Sequence, residues 1–254
     1  KWTTEFCDLY KKSGLSDQVK WGTLGDAPSV AVKPELIQIM KDAGCAYISF
    51  GFESASDKVL NEDIQKGQTR VHLQKTLDTI LKAKLTPLTT FMIGNQHENI
   101  NDLMETMDFW IQNNAEIDPF ICTPYVGSPI YYNNKNRILS QYDPKIKLIE
   151  EGKLKVDKET ESKWKLDALD MFMTDCGDAY QYTATISEYF SIPELFAIKN
   201  LMYQKDSIRL LAWAHERYEE THEPQWKHDA KWAKYCNVCK AESLMNELQI
   251  PHQI

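Results

Sequence analysis

The residues best suited to chemistry stand at the ends of apolar runs. Ile48-Ser49-Phe50-Gly51-Phe52-Glu53-Ser54-Ala55-Ser56 closes on a carboxylate and hydroxyls. At the C-terminal tip of a parallel strand, groups project toward the rim where ligands bind, so Glu53 and Ser54 are placed to hydrogen-bond a polar ligand. The competing reading is an acid that caps the next helix or faces solvent. Thr89-Thr90-Phe91-Met92-Ile93-Gly94-Asn95-Gln96-His97-Glu98 repeats the pattern, closing on glycine and a polar loop, and Thr123-Pro124-Tyr125-Val126-Gly127-Ser128-Pro129 turns through proline and glycine. Far from these, Cys236-Asn237-Val238-Cys239 is a close thiol pair. Cys236 and Cys239 are candidate metal ligands, with His222 and His228 available to complete a zinc site; the alternative is two inert helical thiols.

The elements that must position these tips follow from periodicity. Short apolar runs predict strands over 19–24, 46–52, 88–93 and 119–125. Apolar groups spaced three to four apart predict helices over 2–13, 33–42, 70–84 and 100–113, one before each strand. Helix and strand in alternation are the pattern of βα units and a parallel sheet, which makes the fold class α/β and puts all strand C-termini on one rim. After residue 133 long helical patterns take over, rich in Trp, Met, Lys and Glu, with helices expected over 158–176, 192–203, 207–221 and 229–248. The segment 177–190 is β-prone without clean alternation and reads as loop or short strand. The expected organisation is a β/α domain over 1–135 and a helical region over 136–254.

The run ending Asp42-Ala43-Gly44-Cys45 and then Phe50-Gly51-Phe52-Glu53-Ser54 resembles the fourth-strand region of radical S-adenosylmethionine (SAM) enzymes, especially the group whose members often carry a cobalamin-binding domain. Phe91-Met92-Ile93-Gly94 with Glu98 resembles that family's fifth-strand motif, and Pro124-Tyr125-Val126-Gly127-Ser128-Pro129 its sixth strand. The resemblance implies a partial parallel (β/α) barrel, similar to a TIM barrel, followed by a mostly α-helical C-terminal region. It also implies a 4Fe-4S iron-sulfur cluster that cleaves S-adenosylmethionine to a 5'-deoxyadenosyl radical, with cobalamin as a further cofactor of the group. Carried over by motif, Glu53 would contact the cofactor ribose, Thr90 would face the same pocket and Ile93 would pack on adenine. Gln65 or Lys66 would reach the carboxylate or ribose, and Ser54, Gly94 and Tyr125 complete the implied cofactor-binding set.

Departures from the family stand beside the matches. The C-x3-C-x2-C triplet that would hold the cluster does not occur in the sequence, nor does the glycine-rich second-strand motif. Gln96 and His97 stand where the family usually has proline and glycine. The chain opens at Lys1 without methionine and runs at once into Trp2, Phe6 and Leu9, which reads as the later part of a larger polypeptide. The function expected is therefore the SAM-binding and substrate-covering portion of a radical enzyme acting on a small molecule of unknown identity, its missing N-terminal segment a partner. The alternative is a cluster-less, non-catalytic descendant that binds or builds.

Composition excludes several classes. With 254 residues and 43% hydrophobic content the chain can bury a substantial core. A net charge of -8 argues against nucleic-acid binding, which needs a basic face. No apolar run approaches a membrane span. Six scattered cysteines read as free thiols in a reducing compartment, so the expected location is cytoplasmic.

Overall fold

The computed structural model describes residues 1–114, 116–179 and 184–235, with side chains for all of these but 116, 117, 175–179 and 233–235. Helix α1 (Trp2–Lys12) leads into strand β1 (Trp21–Gly25), and α2 (Ala27–Val32) and α3 (Glu35–Asp42) precede β2 (Cys45–Glu53). A short helix α4 (Asp57–Val59) continues as a π-helical turn, Leu60–Ile64, before α5 (Arg70–Lys82) and β3 (Thr86–Ile93). Then come α6 (Ile100–Asn113) and β4 (Glu116–Ile121). The strands form one four-stranded parallel sheet in the order β1-β2-β3-β4. The described residues after β4 are mostly helical: α7 (Pro129–Ser140), α8 (Pro144–Glu150), α9 (Lys158–Ala179), α10 (Ile192–Tyr203) and α11 (Ser207–Thr221). The α/β class and its parallel sheet thus hold.

Local differences from the sequence reading have local causes. The last strand runs over Glu116–Ile121 rather than 119–125, because the chain turns at Tyr125 to Ser128 and Pro129 then starts α7. That places Tyr125 in a turn, not on a strand. Helix α2 is short; its Asp26 cap accepts from Ser29 N at 3.0 Å, and Pro34 separates it from α3. Helix α9 continues through Gly177 to Ala179, and 184–187 is irregular. The helix expected over 229–248 begins as a 3-10 turn, Ala230–Tyr235. Cys236 and Cys239 lie outside the described residues.

The chain divides into two compact units. The first holds Lys1–Met92, Asn99–Phe120 and the chain from Asn200 onward; the second holds Ile93–Glu98 and Ile121–Lys199. In the first unit the two faces of β2 differ. Ile48, Phe50 and Phe52 are fully buried on one face. Phe52 meets the Phe91 ring edge-on at 5.8 Å and Phe109 of α6 at 6.3 Å, while Phe91 meets Trp110 at 4.6 Å. Such aromatic pairs add to the burial of apolar area that holds helix to sheet. The other face carries Leu24, Ser49 and Leu88 in one row and Gly51 beside Thr90 in the next. It is more open, with Leu24 84% exposed, although parallel sheets are usually covered on both faces.

In the second unit, Leu139, Ile146 and Ala168 join α7, α8 and α9 in a small core, and Tyr131 stacks on Phe172 at 6.0 Å. Gln141 clasps the Thr185 backbone in both directions, accepting from its N at 3.0 Å and donating to its carbonyl at 2.9 Å. Among the described residues no helix is long and apolar enough to cross a membrane. The buried cysteines Cys7, Cys45 and Cys122 form no disulfide, and burial pushes the Cys45 thiol up to about 11.

Candidate functional site at the tip of strand β2

Glu53 ends β2 in a conformation that L-residues avoid. Its φ is +64°, whereas the other described non-glycine residues with positive φ, such as Gln65, Asn114 and His222, follow helices. Ser54 N donates to Phe52 O at 2.7 Å, closing a γ-turn around Glu53. This kind of turn is rare and strained, and strain of this order persists only where surrounding structure imposes it. The pairing with β3 also skips here: Gly51 aligns with Thr90 and Glu53 with Phe91, so Phe52 is the extra residue of a β-bulge. Bulges at sheet rims re-aim side chains.

The bulge sends the Glu53 side chain back over Gly51. A Cβ built on Gly51 would lie 2.5 Å from Glu53 Oε1 and 3.5 Å from Lys66 Nζ, so only glycine leaves this room. Lys66 Nζ pairs with Glu53 Oε1. The lysine side chain is 52% exposed and the glutamate 10%, so the charge pair is open on one side only. Pairs with an exposed partner are worth roughly 0–1 kcal/mol, which makes Lys66 easy to displace from Glu53. Thr90, half-buried beside Gly51, donates its hydroxyl to Phe50 O at 3.4 Å.

A buried polar network holds the chain just beyond Glu53. The Ser54 hydroxyl meets Thr106 Oγ1 at 3.2 Å and accepts from Ser56 N at 3.1 Å. Ala55 N donates to Thr106 Oγ1 at 3.0 Å. Asp102, on the first turn of α6, accepts from Ser56 Oγ and Lys58 Nζ, each at 2.8 Å. Fully buried Ser54 therefore serves the scaffold of the turn, and its hydroxyl is turned toward α6. Sequence reasoning passes over Thr106, Asp102 and Gln68. Nothing in their spacing marks them, since they reach the tip only through the fold.

Of the residues expected to bind a cofactor, the first unit brings together Glu53, Lys66 and Thr90. Gln65 is exposed at the end of the π-helical turn. Ile93, Gly94 and Tyr125 belong to the second unit. There Ile93 is fully buried and its carbonyl accepts from Cys122 N at 2.8 Å. Gly94 turns the chain with φ +79°, and Tyr125 is 57% exposed.

Against known families, residues 5–109 match the sequence profile described as the Radical SAM superfamily. That match takes in about two fifths of the chain and shows its N-terminal part to be similar to the superfamily. The matched segment contains β1, β2, β3 and the Glu53 turn. Among curated proteins, the chain is 29% identical over 108 residues to bacteriochlorophyllide d C-12(1)-methyltransferase of Chlorobaculum tepidum, which covers 42% of this chain and 24% of that protein. It is 28% identical over 138 residues to anaerobic magnesium-protoporphyrin IX monomethyl ester cyclase of Cereibacter sphaeroides, covering 53% and 22%. A match to an uncharacterized methyltransferase of Pyrococcus horikoshii is 34% identical over 110 residues, covering 41% and 23%. The matched stretch thus spans less than a quarter of each relative's length. Among solved structures, the cobalamin-dependent S-adenosylmethionine radical enzyme OxsB superposes with a TM-score of 0.37 and 11% identity, over 90% of this chain and 34% of that one.

Proposed function

We propose that this chain is the SAM-binding and substrate-covering portion of a radical SAM enzyme, with Glu53 recognising the two ribose hydroxyls of S-adenosylmethionine. The observation that carries the reading is the strained turn that holds the Glu53 carboxylate over Gly51 on the open face of the sheet. A carboxylate has two acceptor oxygens, so it suits a vicinal diol, and Lys66 gives way to the incoming hydroxyls or donates to one of them. Thr90 adds a hydroxyl on the same face. Ile93, Gly94 and Tyr125 are assigned to adenine and cofactor contacts on the strength of the motifs alone. When bound, S-adenosylmethionine supplies the 5'-deoxyadenosyl group on which the superfamily's chemistry depends.

The residues present do not fit an iron-sulfur cluster. The sequence lacks the cysteine triplet, and among the described residues no group of three or more His, Cys, Asp or Glu could hold a metal. Cluster ligands are therefore assigned to a partner segment. The same observation favours the second reading, a cluster-less descendant that binds without catalysis. The relatives named as a methyltransferase and a cyclase support radical-based methylation or ring formation on a small organic substrate, and the motif resemblance extends the cofactor set of the whole protein to cobalamin. Buried thiols at Cys7 and Cys45, outside any disulfide, support a reducing, cytoplasmic setting.

Calorimetric titration of the chain with 5'-deoxyadenosine tests the site. Glu53→Gln should weaken binding roughly tenfold to a hundredfold, the worth of hydrogen bonds to a charged acceptor. The 2'-deoxy analogue should show a similar loss with the native chain and none beyond it with the variant. Equal affinity of native and variant chains would remove the assignment. Anaerobic reconstitution of the whole protein with iron and sulfide separates the two readings: 5'-deoxyadenosine formed on reduction supports the enzyme, and none supports the binding protein.

A further inference from the structure

The β-bulge creates a problem that the sheet cannot solve by itself. Phe52 is the unpaired residue between Gly51 and Glu53, so the ladder to β3 passes it by. The Phe52 carbonyl accepts only the short γ-turn bond from Ser54 N within its own strand tip, and that bond does not by itself hold Glu53 in a disfavoured φ. Gln68 closes this gap. Its side chain is 2% exposed, and its Nε2 donates to Phe52 O at 2.8 Å and lies 3.4 Å from Gly51 O. The side-chain amide thus takes the place of a neighbouring strand at the point where the neighbour is missing.

The loop that delivers Gln68 is fixed at both ends. On one side Gln65 N donates to Leu60 O at 2.9 Å, closing the π-helical turn, and Gln65 has φ +55°. On the other, Thr69 caps α5 in a capping box with His72. Between them Gly67 has φ +67°, and the residues flanking it part company. Lys66 reaches the Glu53 carboxylate, while Gln68 reaches the backbone that carries it. One short loop therefore holds the turn through both its side chain and its main chain.

We propose that Gln68 is the positioning residue of this site: by donating to the bulged Phe52 carbonyl it locks Glu53 in the left-handed conformation that presents its carboxylate to a vicinal diol. The proposal rests on the ribose-recognition reading for its ligand, and on the hydrogen-bond geometry alone for its structural part.

Amide hydrogen exchange and calorimetry on the same chain test the two parts separately. In Gln68→Leu, similar in volume but without a donor, the Ser54 amide should exchange at least roughly tenfold faster, while amides of β1 keep their native rates. Gln68→Glu, which puts an acceptor where the donor was, should show the same local effect. Unchanged exchange at Ser54 overturns the proposal, and equal acceleration across all strands overturns it in favour of a general role in stability. For ligand, Gln68→Leu should weaken 5'-deoxyadenosine binding by about tenfold in the native background and add nothing in the Glu53→Gln background, because it acts through Glu53. Additive losses would overturn that coupling. If Glu53→Gln alone leaves affinity unchanged, the ribose reading fails, and the exchange result still decides whether Gln68 holds the turn.

Discussion

The tips of β2 and β3 meet the same backbone demand in opposite ways. Both chains leave the sheet through a residue of positive φ: Glu53 at +64° and Gly94 at +79°. At β3 the position needs only backbone. A Cβ on Gly94 would lie 2.7 Å from Leu195 Cδ1, and one acceptor, Glu98 Oε2, gathers Gly94 N at 2.7 Å, Asn95 N at 3.2 Å and Asn95 Nδ2 at 3.3 Å. At β2 a carboxylate stands where glycine would be easier. That tip needs Gln68, Ser54, Thr106 and Asp102 to keep its shape. Strain is tolerated where the side chain itself is required, and removed where it is not.

The comparison breaks most visibly at Glu98. Glu98→Ala strips the acceptor from buried donors around Gly94, and chemical denaturation should show a loss of about 3 kcal/mol. A loss under about 1 kcal/mol would mean that the β3 turn holds without its carboxylate. At the β2 tip the load is shared, so each single loss should be smaller. Thr106→Val leaves Ala55 N and the Ser54 hydroxyl without their partner, and the same measurement should give about 1–2 kcal/mol. A loss matching that of Glu98→Ala would show that the network is no more distributed than the β3 turn. Smallest and most telling is Glu53→Gly. Relief of the left-handed strain, partly offset by the entropy of glycine, should raise stability by about 0.5 kcal/mol while abolishing 5'-deoxyadenosine binding. A fall in stability would mean that Glu53 serves the fold rather than a ligand.

Much of the sheet is legible in the sequence because its physics is periodic. The strands expected at 19–24, 46–52 and 88–93 lie within a few residues of β1, β2 and β3, since alternating burial and flanking glycines leave clear marks. The strand expected at 119–125 falls late because Pro119 looks like a beginning, although proline is accepted within a sheet at an edge. Helices α7 and α8 leave no such mark; each opens on a proline behind a Ser128 or Asp143 cap, α7 runs through the polar stretch Asn133-Asn134-Lys135-Asn136 where an apolar stripe would show, and α8 is only seven residues long. At the site, the Phe50-Gly51-Phe52-Glu53 alternation marks the strand tip and hides the bulge, because the same letters read as an uninterrupted ladder.

The amino-acid sequence alone determined the α/β class, the parallel order of units and the acid at the strand tip, because these depend on short-range periodicity and the types of a few residues. Only the tertiary structure decided which way that acid faces and what holds it. The bulge at Phe52, the amide of Gln68 and the hydroxyl of Thr106 come together from separate elements of the chain, and no local pattern records hydrogen bonds made across that distance.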